Sequence, residues 1–224
     1  MTATRRCVFL LLFALALPAE AAPALTPFKA QYALSVDGVG TGQLTHWLTR
    51  RDGQFESHMR ARINAITGEE TGVFTLDGQQ GVTAQRYRGG YHLLGLSRYF
   101  QLDAGDLARA PDRQSALIAL GRSMELAKRH CMPNTPCTLD YTDQSGTVRT
   151  LDYTLSSHAP IKTPVGKVAT LELTLTAHGT PLPRLHALVS PALPGVLLRA
   201  TLDASASITA RLELESLTLD HKTR

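Results

Sequence analysis

The sequence predicts a mainly β protein: a strongly curved antiparallel sheet or partly open barrel of about ten strands, with one amphipathic helix against its concave face. Three observations lead there. Apolar residues alternate with polar ones in several separate runs. Asp-Gly turn signals punctuate those runs. One internal segment alone breaks the alternation in favour of a helical spacing. Strict period two with one apolar face marks half-buried antiparallel strands.

The first run sets Phe28, Ala30, Tyr32, Leu34 and Val36 against Lys29, Gln31, Ala33 and Ser35. A second sets Phe55, Met59, Ala61 and Ile63 against Glu56, His58, Arg60 and Arg62. A third carries Ala169, Leu171, Leu173 and Leu175, and a fourth Ile208, Ala210, Leu212 and Leu214. In the fourth run the phase slips near Ser216, because Leu217 and Leu219 have the other parity; a bulge there re-aims the strand. Asp37-Gly38, Asp52-Gly53, Asp77-Gly78 and Ser145-Gly146 supply turns. The Gly38/Gly40/Gly42 series is read as a turn, since a phosphate cradle needs a helix to follow and a threonine-bearing strand follows instead. Trp47, the sole tryptophan, has the Thr45/Thr49 parity and not the Leu44/Leu48 parity. It is therefore either an exposed anchor or part of a strand covered on both faces.

From Asp112 to about His130, Leu117, Leu120, Met124 and Ala127 recur at intervals of three and four, the stripe of a helix. Asp112 is placed to cap it, with Pro111 at the start and Lys128, Arg129 and His130 at the negative end of the dipole. Such a helix plugs or covers a one-sided sheet.

The N-terminus reads as a secretory leader. Arg5 and Arg6 precede the apolar run "VFLLLFALAL", and Ala19-Glu20-Ala21 offers a cleavage site. Residues 1–21 are thus expected to be removed, leaving one β-rich domain over 22–224 in the periplasm. The run is short for a membrane span, and no later segment approaches that length. Cys7 leaves with the leader, so Cys131 and Cys137 remain as a pair in an oxidising compartment. They lack the C-x-x-C spacing of a redox pair, and only His130 is near enough to help hold a metal. A bridge pinning the end of the helix to the strand "CTLDY" is the favoured reading.

The net charge of +4 is spread without a run of five or six cations, so no nucleic-acid surface is expected. Catalytic signatures are missing from the chain: there is no G-x-S-x-G, no S-x-x-K and no H-E-x-x-H. Of the eight histidines the closest two, His178 and His186, are eight apart; His158 and His178 bracket a leucine-rich strand where a distant acid could join them. Glu213 and Glu215 share the polar face of their strand and read as solvated. No cofactor is called for.

The stretch "PFKAQYALSVDGVGTGQLTHWLTRRDGQFESHMRARI", through Phe28, Ala30, Tyr32, Gly38, Gly42, Asp52, Gly53 and Phe55, resembles the start of the bacterial domain-of-unknown-function 3108 family. Thr163, Pro164, Gly166, Val168 and Thr170 resemble that family's T-P-x-G segment, and "PALPGVLLRATL" its late strand. The resemblance implies an exported protein with a curved antiparallel sheet and implies no activity. The functional expectation is a non-enzymatic periplasmic protein that binds or chaperones an apolar small molecule or lipid. The expected lining is Phe28, Tyr32, Leu34, Met59, Ile63, Leu171 and Leu173. The alternative is an envelope scaffold that meets a partner protein through a surface or an edge strand.

Overall fold

A computed structural model describes residues 25–78, 81–93 and 95–220. The expected leader lies outside these residues. Twelve strands, rather than about ten, form one antiparallel sheet in the order β6-β5-β4-β3-β2-β1-β12-β11-β10-β9-β8-β7. The first six are β1 (Phe28–Val36), β2 (Gly40–Arg51), β3 (Gln54–Ile63), β4 (Ile66–Leu76), β5 (Val82–Leu93) and β6 (Leu96–Asp103). They run up and down as neighbours. The one helix among the described residues, α1 (Arg113–Ala127), follows. The second half comprises β7 (Cys137–Thr142), β8 (Val148–Thr163), β9 (Gly166–Ala177), β10 (Arg184–Val189), β11 (Leu197–Ser205) and β12 (Ile208–Leu219). β12 returns to pair with β1, which joins the two meanders.

The sheet is strongly curved and is not closed into a barrel. α1 touches β4 and β5 near one edge and β7 at the other edge, so both wings of the sheet fold round the helix. The edge β7 is tied to the segment before α1: Thr142 N donates to Pro111 O at 2.7 Å, and Thr142 Oγ1 to Ala110 O at 2.7 Å. This cover removes part of an exposed strand edge.

All four turn signals fall between strands. At Asp52-Gly53 both residues have positive φ (50° and 80°), as a two-residue hairpin turn requires. The bulge near Ser216 is present: Gln31 faces Ser216 while Tyr32 faces Leu214, so Glu215 is the extra residue. The phase change lets both Leu214 and Leu217 be buried.

Asp112 caps α1. Its Oδ1 accepts from Gln114 N at 3.0 Å and Ser115 N at 3.1 Å, and its Oδ2 accepts from Ser115 Oγ at 2.6 Å. The carboxylate sits over Gly72 of β4, where a Cβ would lie 2.8 Å from Oδ1. On one side α1 meets the 190–196 segment at bare backbone: a Cβ on Gly121 would be 2.8 Å from Gly195 N. Arg122 is buried on that same side and donates through Nη1 to Gly81 O at 2.6 Å.

Cys131 and Cys137 are bonded, with Sγ atoms 2.05 Å apart, one helical step beyond Ala127. Cys131 is buried with Met124, Leu155 and Leu173. Closing so short a loop lowers unfolded-chain entropy by about 2.4 kcal/mol equivalent. The Cys131→Ala/Cys137→Ala variant is therefore expected to unfold at lower urea with a loss of about 2 kcal/mol, measured by equilibrium denaturation. A reductant-insensitive midpoint for the parent chain would count against the bridge.

Candidate functional site

The connections β1–β2, β3–β4, β5–β6, β7–β8, β9–β10 and β11–β12 gather at one end of the curled sheet, and the remaining hairpin connections at the other. The second end is packed. Leu193 and Val196 of the 190–196 segment close on Phe28, Tyr32, Phe74 and Ile118 there. Between α1 and the first end lies a cavity of about 540 Å³. Its walls are Leu44, Met59, Ala61 and Gly68 from β2–β4, then Leu139, Leu151, Leu175, Leu185, Leu197 and Leu202 from β7–β11. Leu117 and Leu120 of α1 complete it. A close-packed interior leaves few gaps larger than a water; this volume falls within the range of about 300–1,000 Å³ typical of small-molecule sites.

Around this end, Val39, Leu93, Leu96, Leu182, Leu202 and Ile208 are exposed apolar side chains on or beside the hairpin connections. Leu202 is both 36% exposed and part of the cavity wall, so the cavity reaches the surface there.

Polar groups occur at the helix N-terminal end of the cavity: Glu69, Glu70, Arg113, Gln114 and Tyr141. Arg113 and Glu70 form a two-point ion pair, with Nε to Oε2 at 2.8 Å and Nη2 against Oε1. Tyr87 donates its hydroxyl to Glu70 Oε2 at 2.7 Å.

Of the seven residues expected to line an apolar cavity, Met59 is on the wall. Phe28 and Tyr32 belong to the packed cluster at the opposite end. Leu171 and Leu173 are buried under the second half of α1 with Met124 and Cys131. Ile63 lies against Gly42, whose missing Cβ would come within 2.7 Å of its Cγ1. Leu34 lines a separate pocket with Ala200 and Leu212. All seven have the apolar-face parity of an alternating run, but that pattern carries no information on depth along the strands. The wall leucines of β7, β8, β10 and β11 were missed for the same reason; Leu139, Leu151, Leu185 and Leu202 lie within a few residues of a turn at the cavity end of the sheet, whereas Leu197 starts β11 at the other end.

A serine and a histidine do meet in the interior. His46 Nε2 is 2.9 Å from Ser57 Oγ, and Ser57 donates to Gln114 Oε1 at 2.8 Å. Since the single hydroxyl proton goes to Gln114, His46 donates to Ser57. A general base must instead accept from its nucleophile. Both side chains are buried, and Phe28 stands edge-on to the imidazole at 4.8 Å. Burial lowers the His46 pKa to about 3, with a smaller push from His58. This chain of bonds fastens α1 to β2 and β3 as neutral groups.

Two other described histidines meet hydroxyls outside the buried interior: His92 Nδ1 is 2.9 Å from Ser97 Oγ at an exposed hairpin, and His186 Nδ1 is 3.2 Å from Thr174 Oγ1. His178 Nδ1 pairs with Asp152 at 2.8 Å on the surface, which raises its pKa through the hydrogen bond and the adjacent charge. His158 bonds Ala159 O. Trp47 is on the outer face, half-buried and stacked on His58 at 4.3 Å. Glu213 is also outward and pairs with Arg199 at 2.9 Å. Among the described residues no three His, Cys, Asp or Glu side chains converge as a metal site, and no helix is long and apolar enough to cross a membrane. No protein-family model matches the chain, and comparison with curated proteins finds no match.

Proposed function

We propose that the chain is a non-enzymatic periplasmic protein that binds or chaperones an apolar small molecule or lipid between α1 and the curled sheet. The observation that carries the reading is the leucine-walled cavity beside an exposed apolar rim. A ligand enters past Leu202 and the neighbouring hairpins, and its apolar surface leaves water as it contacts the wall. The periplasmic part rests on the leader sequence of residues 1–21. Membership of the domain-of-unknown-function 3108 family rests on the motifs quoted above. The buried, outward-donating His46–Ser57 pair supports the non-enzymatic part.

The test is titration of the purified chain with the neutral apolar dye Nile red, alongside native mass spectrometry of protein prepared without detergent. Saturable one-to-one binding is expected. Leu117→Trp, which projects an indole into the cavity from α1, is expected to weaken it at least about tenfold with unchanged circular dichroism. A bare mass and no dye binding would overturn the reading. In that case attention moves to the edge strand β6, where Leu96 and Tyr99 are 73% and 80% exposed and a partner protein could add a strand.

A further inference from the structure

The polarity of the cavity is uneven, and the unevenness selects a ligand. Leucines line it from Leu185 and Leu202 to Leu117, while the end at the start of α1 carries Glu70, Arg113 and Tyr141. A chain with one polar head matches this layout better than a molecule that is apolar throughout. The head meets an ion pair that is already complete. Glu70 accepts from Arg113 Nε at 2.8 Å, from Arg113 Nη2 and from the Tyr87 hydroxyl at 2.7 Å. Three of a carboxylate's roughly four acceptor sites are then used, and the guanidinium keeps about three of its five N–H donors.

A second carboxylate placed at Arg113 would share one guanidinium with Glu70. Like charges this close disfavour one another's ionised forms. A hydroxyl or ester meets no such opposition. It accepts from the spare Arg113 N–H groups, and a hydroxyl can also donate to the remaining acceptor site of Glu70 or to Tyr141.

Resting on the cavity being a ligand site, we infer that its occupant is a neutral single-chain amphiphile with a hydroxyl- or ester-bearing head, such as a monoacylglycerol, and that Glu70 excludes free fatty acids. The head lies at Arg113, Glu70 and Tyr141, and the acyl chain runs along the leucines toward Leu202.

Displacement of Nile red from the full chain tests this at pH 8, with monomyristoylglycerol, myristate and the corresponding amine each kept below its micelle concentration. The glycerol ester is expected to displace dye at about tenfold lower concentration than myristate. Glu70→Gln keeps an acceptor for Tyr87 and frees Arg113. It is expected to bring myristate to within about threefold of the ester by relieving the like-charge penalty. Arg113→Gln leaves Glu70 unpaired and is expected to widen the discrimination against myristate. Equal or better displacement by myristate or by the amine on the parent chain would overturn the inference, as would a ratio unmoved by both substitutions. A parent chain that binds no Nile red overturns the cavity reading itself, which is a separate result.

Discussion

Lowering the pH from 6.5 toward 3 is expected to remove up to about 5 kcal/mol of stability through His46 alone. In the fold the imidazole is buried and neutral, with its pKa lowered to about 3, first by loss of solvent and then by His58. In the unfolded chain it titrates near its ordinary value of about 6.5. Between these values the unfolded state binds more protons than the folded one, so stability rises with pH across the window. The contribution is fully present above about 6.5 and is lost as pH falls, by up to about 1.4 kcal/mol per unit. Asp112 acts in the opposite sense. Burial raises its carboxyl pKa, so the folded state holds that proton more tightly and stability falls as pH rises through the folded value. Comparison of two variants isolates the histidine. His46→Gln cannot titrate; it is expected to be about 1–2 kcal/mol less stable than the parent at pH 7.5, through lost packing. At pH 4 it is expected to be the more stable of the two. Urea denaturation at four pH values between 7.5 and 4 would show the crossing. Parallel curves would mean that His46 takes up its proton inside the fold as readily as in the unfolded chain, and that burial does not hold it neutral.

Asp112→Ala is expected to cost about 3 kcal/mol, more than an ordinary helix cap. An exposed cap loses its bond and water replaces it. Here the Gln114 and Ser115 amides and the Ser115 hydroxyl all lose their acceptor in a buried place. Each buried donor left unsatisfied costs roughly 1–3 kcal/mol. Asp112→Asn retains an acceptor oxygen and fits against Gly72, and is expected to lose about 1 kcal/mol. Equilibrium denaturation distinguishes the two. Since Gln114 and Arg113 take their positions from this cap, Nile red binding by Asp112→Ala should weaken along with stability. Equal costs for the two substitutions would show that the cap acts through its charge and not through its hydrogen bonds.

Much of the architecture was legible along the chain because it depends on neighbours in sequence. Alternation over Phe28–Val36 and Gln54–Ile63 names the buried face of each strand. Asp52-Gly53 specifies a hairpin because its backbone conformation suits few other residue pairs. The stripe Leu117, Leu120, Met124 and Ala127 with Asp112 at its head places the start of the helix within a residue; its end falls at Ala127, short of the expected His130. The phase slip at Ser216 located a bulge. The strand count fell short because β5 and β6 carry arginines, glycines and an exposed Tyr99 in place of clean alternation.

The site was less legible. Met59 was named as a wall residue, but Phe28, Tyr32, Leu171 and Leu173 obey the same alternation and are packed core. A period of two records which face a side chain occupies and is silent on its depth along the strand. Local backbone preference and short loops set the antiparallel one-faced strands, the capped helix, the turn positions and the pairing of Cys131 with Cys137, so these can be read along the chain. Where α1 crosses the sheet depends on contacts between distant segments. The bare backbones of Gly72, Gly121 and Gly195 let the helix settle toward one end, and the His46–Ser57–Gln114 chain holds it there. The space on its other side is the cavity, and it brings Glu70 to Arg113 across forty-three positions of chain. Non-local contacts of that kind leave no mark in the order of the residues, because they depend on how two wings of one sheet close on the same helix.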